Sequence, residues 1–178
     1  MLFSSISFLY YFLPLTIGLY FAVPKGFKNT VLFLASLVFY GWGEPKYVIL
    51  MGLSVLLGYG FGLLVEKYRQ KSAGRILCVA SVGVSLSFLL YFKYADFFIE
   101  NFNAVTGMGI LPLRLALPIG ISFYTFQIIS YTVDVYRGEA AQRKLISLAV
   151  YITMFPQLIA GPIVRYHDIA KQLEGRGH

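Results

Sequence analysis

Apolar residues come in blocks close to the thickness of a bilayer, separated by short polar stretches. The blocks cover about 5–23, 30–42, 47–65, 76–92, 115–135 and 145–164. Each of the longer ones approaches the roughly 20 residues that a helix needs to cross hydrocarbon. None alternates at period two, so a membrane barrel is excluded and the pattern predicts an all-α, polytopic transmembrane protein. Pro14 in the first block predicts a kink. The second block is short for a crossing, at about 18 Å of helix from Thr30 to Gly41. Tyr40, Trp42 and Tyr47 flank the turn after it, as in an interfacial aromatic belt. In the third block Ser54, Gly58 and Gly62 recur at i+4, a flat stripe that lets another backbone approach. Ser81 and Ser85 form a smaller pair of that kind in the fourth, and Asn101 to Gly109 reads as a loop. The last block holds Pro156 and Pro162 around Ala160-Gly161, which predicts a broken, re-entrant helix over 145–164. Beyond it, Tyr166 to Leu173 has the pattern of an interfacial amphipathic helix, with Arg165 and Asp168 spaced to pair. No repeat, low-complexity segment or linker divides the chain, so residues 1–178 form one membrane-embedded unit.

Composition agrees with this pattern. Of 178 residues 58% are hydrophobic, mean hydropathy is +0.71, and the 13% charged is about half the share of a soluble domain. The net charge of +7 does not point to nucleic acid, because the basic residues lie in short loops between apolar blocks. There they set orientation. No basic residue precedes the first block, while Lys25 and Lys28 follow it, so it reads as an uncleaved anchor with its N-terminus outside. Lys67, Arg69, Lys71 and Arg75, then Arg137, Arg143 and Lys144, fall on the cytoplasmic side in the same scheme. A single cysteine, Cys78, says nothing about compartment. His167 and His178 are the two histidines, and neither has the spacing of a metal ligand set, so no metal is expected.

The chemistry that stands out lies in Leu117 to Arg137. Stepping from Gly120 by four, three, four and three residues reaches Tyr124, Gln127, Tyr131 and Asp134, which share one narrow helix face. Polar groups at membrane depth are costly and usually face a bundle or a cavity, so this face is a candidate functional lining. An interfacial ion pair between Asp134 and Arg137 at i+3 explains its last member equally simply.

Leu117 to Gly138, MFPQLIAGPIVRY at Met154 to Tyr166, the opening MLFSSISFLYYFLPL, the FYGWGEPKY turn and LLYFKYADFF together resemble the membrane-bound O-acyltransferase family, in its bacterial alginate O-acetylation branch. The likeness runs the whole length. It implies the N-terminal part of a ring of membrane helices around a thin centre, in the inner membrane of a bacterium. It also implies a reaction: an acyl group, acetyl, passes toward a hydroxyl of an extracytoplasmic polysaccharide such as alginate. Implied with it are an acyl donor on the cytoplasmic side, acetyl-CoA or an acyl carrier, used as substrate with no resident cofactor. Implied partners are the bilayer and periplasmic or membrane proteins of polysaccharide acetylation. The family's hallmark histidine belongs to a later helix, so no catalytic residue is expected in this chain, which alone would be inactive. Tyr124, Gln127, Tyr131, Asp134 and Arg165 would line the substrate passage, Arg165 meeting an anionic group. His167, beside Arg165 and Asp168, reads as a solvated or interfacial histidine.

Two other readings stay open. A broken helix and a polar midplane face also suit a transporter or flippase subunit, although only one interrupted segment is visible where such folds often carry two. A non-catalytic scaffold half is the third.

Overall fold

The computed structural model describes residues 5–43, 45–114, 117, 118, 120–154 and 166. Every regular element among them is helical, in keeping with the all-α expectation. A π-helical turn over Phe8–Phe12 leads into α1 (Leu13–Ala22), and a 3-10 turn over Lys25–Phe27 into α2 (Lys28–Gly43). A second such turn, Pro45–Tyr47, opens α3 (Val48–Tyr68). Then come α4 (Ser72–Thr106), α5 (Ile121–Arg137) and α6 (Leu145–Thr153). The broken stretch expected around Pro156 and Pro162 and the amphipathic segment after it lie outside the described residues, Tyr166 excepted.

Local chemistry explains the boundaries. Pro14 lies inside a helical run that continues from Phe8 to Ala22, and the widened turn just before it accommodates both the missing N–H and the ring that would press on the carbonyl four residues back. The second helix runs unbroken for 16 residues, about 24 Å, longer than its apolar block. The largest difference is in α4, a 35-residue helix that continues past Phe92 to Thr106. Apolar character thins at Lys93, but no helix breaker occurs until Gly107, whose φ of 68° closes the helix in the left-handed conformation. The segment after it is tied back along the helix. Asn103 exchanges two hydrogen bonds with the backbone of Ile110, and an Asp96 carboxylate oxygen accepts the N–H groups of Leu113 and Arg114.

Packing organises the six helices into two groups. Helices α3, α4 and α5 pack mutually, α2 lies against α6, α1 against α2, and α6 touches both α3 and α5. The small-residue stripe of α3 receives α5. A Cβ on Gly58 would stand 3.1 Å from Cγ2 of Ile128, and one on Gly62 would meet the Tyr131 ring at 2.5 Å (Cε1) and 2.7 Å (Cζ). Between α4 and α5, Thr132 donates to the Ile128 carbonyl (2.9 Å), which leaves Ser81 as the donor to the Thr132 hydroxyl at 3.2 Å. Tyr40 departs from the aromatic-belt expectation: it is buried in the core, while Trp42 is exposed.

Two helices, Pro45–Tyr68 with its opening turn and Ser72–Thr106, are long and apolar enough to cross a membrane. Only 33% and 17% of their most apolar windows are buried inside the protein, so they are not the sheathed core helices of a water-soluble fold. On α4 the exposed apolar side chains form one stripe, from Ile76 and Val79 through Leu90, Tyr94 and Phe98 to Val105. At 1.5 Å per residue it is about 44 Å long, the thickness of a bilayer with its headgroups. Polar side chains near the stripe satisfy themselves within the helix: Ser87 donates to Gly83, Asn101 to Phe97 and Thr106 to Phe102, each at 2.7 Å.

Gly62→Ala should therefore lower the thermal midpoint of the detergent-extracted protein by several degrees, an overpacking cost of about 1–3 kcal/mol. An unchanged midpoint would refute the close approach of α5. In a Cys78→Ser background, Phe98→Cys should resist a membrane-impermeant maleimide that labels Met108→Cys readily. Equal labelling rates would mean that the upper turns of α4 stand in water.

Candidate functional site

Helix α5 is buried on two adjacent faces. One carries Thr125, Ile128, Thr132 and Val135, with Ile128 against α3 and Thr132 bonded to α4. The other is the polar row. Tyr124 and Gln127 are each 1% exposed, Tyr131 is fully buried, and Asp134 is half-buried at the end of the helix. The helix starts from Gly120 at φ 76°, with Ile121 N–H donating to the Pro118 carbonyl (3.2 Å), and stops at Gly138 at φ 130°. These two glycines set the length of the row. Arg165, His167 and His178 lie outside the described residues.

Tyr131 is the junction of the row with the chain that follows. Its hydroxyl oxygen accepts the N–H of Gln142 at 3.2 Å. Its ring meets that of Tyr166 edge-on, with centroids 4.8 Å apart, and Tyr166 in turn meets Tyr151 at 5.7 Å and donates to the Ala140 carbonyl at 3.4 Å. Gln142 itself is 3% exposed, and its Oε1 accepts the N–H of Lys144 at 3.3 Å.

The connection from α5 to α6 is held along one side of α3. Arg69 donates to the carbonyls of Gly138 (2.9 Å) and Glu139 (3.4 Å). One oxygen of Glu66 accepts the Ala141 N–H at 3.1 Å and the other pairs with Arg143 at 2.7 Å. Tyr59 donates to the Arg143 carbonyl at 2.8 Å. From Arg69 to Tyr59 is ten residues of α3, about 15 Å of rise. Residues 138–143 thus run along the flank of α3, with Gly138, Ala140 and Arg143 exposed and Ala141 and Gln142 buried, and α6 begins at the end of that run. Asn29, at the start of α2, reaches the same helix through Ser147 at 3.3 Å. Glu66 is the one acid in a stretch that also carries Lys67, Arg69 and Lys71. Gln142 follows no helical period, so pattern reading passed over it.

Two polar atoms in this region are buried with no hydrogen-bond partner among the described residues, Gln127 Oε1 and Gln142 Nε2. One is an acceptor and the other a donor. Each such atom carries a desolvation cost of about 1–3 kcal/mol. Phenols and amides of this kind position a ligand by hydrogen bonds, and Glu66, already committed to Arg143 and Ala141, is poorly placed to take a proton. Among the described residues no three His, Cys, Asp or Glu side chains group as metal ligands would.

The chain is 44% identical to the probable alginate O-acetylase AlgI of Pseudomonas putida, over all of its own length and 38% of the relative. With the protein of that name from Azotobacter vinelandii it shares 43% identity, over 37% of the relative. It is 30% identical to the peptidoglycan O-acetyltransferase of Helicobacter pylori, over 40% of that protein. No family model and no solved structure matches it. The chain thus spans well under half the length of the curated relatives it matches. Over that span its sequence is similar to alginate O-acetylases from end to end, in keeping with the resemblance carried by FYGWGEPKY and Leu117 to Gly138.

Proposed function

We propose that the chain is part of a membrane-bound O-acyltransferase that passes acetyl from a donor at the cytoplasmic face to a hydroxyl of an extracytoplasmic polysaccharide such as alginate. The whole-length likeness to alginate O-acetylases carries this reading, and the peptidoglycan O-acetyltransferase relative widens the acceptor class to cell-surface glycans. The buried row Tyr124, Gln127 and Tyr131, continued by Asp134 and, from the resemblance, Arg165, lines the passage between the two faces. The unpartnered Gln127 acceptor supports it, since a sugar hydroxyl or a donor N–H would satisfy that atom. In the transfer, the acceptor hydroxyl oxygen attacks the acyl carbonyl, its proton goes to a base, and the donor thiol leaves. The resemblance assigns the base to a histidine of a later helix. The donor is acetyl-CoA or an acyl carrier, and further membrane or periplasmic proteins share the task.

The same reading sets the chain in the bacterial inner membrane as one multi-pass unit, N-terminus outside, with 145–164 dipping in and returning. Contacts between its basic segments support the orientation. Arg69 on Gly138, Glu66 on Arg143 and Asn29 on Ser147 gather the connections after α1, α3 and α5 toward one side of the bundle. These connections carry the basic residues expected to stay in the cytoplasm.

In the full-length protein, Tyr124→Phe and Gln127→Leu should each reduce polymer O-acetylation at least about tenfold, the equivalent of one buried hydrogen bond. Ester content of the secreted polymer, at matched membrane levels of protein, is the measurement. Undiminished acetylation in both variants would remove the row from the site.

A further inference from the structure

Three polar groups of Gln142, its backbone N–H and the two ends of its amide, are buried in the loop. Its backbone N–H goes to the Tyr131 hydroxyl at 3.2 Å and its Oε1 accepts from Lys144 at 3.3 Å, so two are spent inside the protein. The second bond also fixes which amide atom is which, because Oε1 must face an N–H. That leaves Nε2, on a residue 3% exposed, without an acceptor among the described residues. The amide does not swing freely, since its loop is clamped at Gly138, Ala141 and Arg143 by Arg69, Glu66 and Tyr59. A fixed, buried donor at the foot of the polar row is matched to an oxygen that arrives from elsewhere. Arg143 and Lys144 are exposed beside it and would draw an anionic carrier of that oxygen toward the loop.

We propose that Gln142 is a positioning residue whose Nε2 donates to a carbonyl oxygen of the acyl donor, an acyl thioester on an amide-bearing phosphorylated arm, as it enters beside α3. This rests on the acyl-transfer reading above. Free CoA and a carrier protein both present such an arm. Gln142 orients the donor and takes no proton in the transfer.

Gln142→Glu tests this without dismantling the loop, since a glutamate keeps an oxygen for the Lys144 N–H and loses the amide donor. In permeabilised cells making the full-length protein, with polymer acetylation followed against added acetyl-CoA, the variant should show an apparent KM raised at least about tenfold. Its kcat should stay within about twofold. Gln142→Leu, which loses both bonds, should show the KM effect together with a lowered midpoint. If the wild type acetylates without dependence on acetyl-CoA, the arm is carrier-borne, and the tenfold loss should appear on titrating a cytosolic protein fraction instead. Wild-type kinetics in Gln142→Glu with either donor would overturn the role of Gln142 alone. Absence of polymer acetylation by the wild type would overturn the acyl-transfer reading, and this assignment with it.

Discussion

Everything in the site depends on how closely α5 can lie on α3. Gly58 and Gly62 strip side chains from one face of α3, and Ile128 and Tyr131 occupy the space. Lipid offers no hydrophobic contrast to drive helices together, so van der Waals contact at such stripes is what association has available. Any side chain at Gly62 would push the Tyr131 ring outward. Its hydroxyl would then leave the Gln142 N–H, and its edge would leave Tyr166. One missing Cβ therefore sets the depth of the tyrosine that joins the polar row to the connection beyond it.

The second constraint is electrostatic. Glu66 sits one turn beyond Gly62 on the same helix, half-buried, and spends both oxygens on the 138–144 connection. Arg143 is 72% exposed, so its ion pair with Glu66 is screened by solvent and contributes little, and the hold rests on the Glu66 oxygen that accepts the Ala141 N–H. With Tyr59 and Arg69 it fixes an irregular segment against the flank of α3. Irregular backbone is tolerated there only where protein or a water-lined cavity receives its polar groups. Here α3 supplies receivers for the carbonyls of Gly138, Glu139 and Arg143 and for the N–H of Ala141.

Much of this was legible in the sequence, and the failures have physical causes. Periodicity alone identified the Tyr124, Gln127, Tyr131 and Asp134 face, because a helix repeats every 3.6 residues whatever surrounds it. The i+4 stripe of α3 was legible for the same reason. Hydropathy places the end of α4 too early because it records affinity for lipid, whereas helix continuation depends on breakers, and Gly107 is the first after Lys93. Tyr40 was assigned to an aromatic belt by its place near a turn, yet its side of α2 faces the core. Gln142 and the role of Glu66 were not legible. They act between segments 75 and 11 positions apart in the chain, and no local pattern encodes such pairings.

A division of labour follows from the kinds of side chain present. Phenol, amide and hydroxyl groups orient ligands and satisfy oxygens, but at neutral pH they neither accept a proton readily nor carry charge through a membrane. A bilayer-embedded site benefits from such groups along its walls, because each is affordable at depth once hydrogen-bonded, while an ionised base is costly and is best confined to the reacting atoms. The α5 row and the Gln142 amide have the chemistry of walls. Their two unpartnered atoms, an acceptor within the row and a donor at its foot, are complementary to a ligand that donates in one place and accepts in the other. The acceptor within the row is satisfied only by a group that donates, whereas the donor at its foot takes a hydroxyl or a carbonyl alike, which makes the row the more selective of the two.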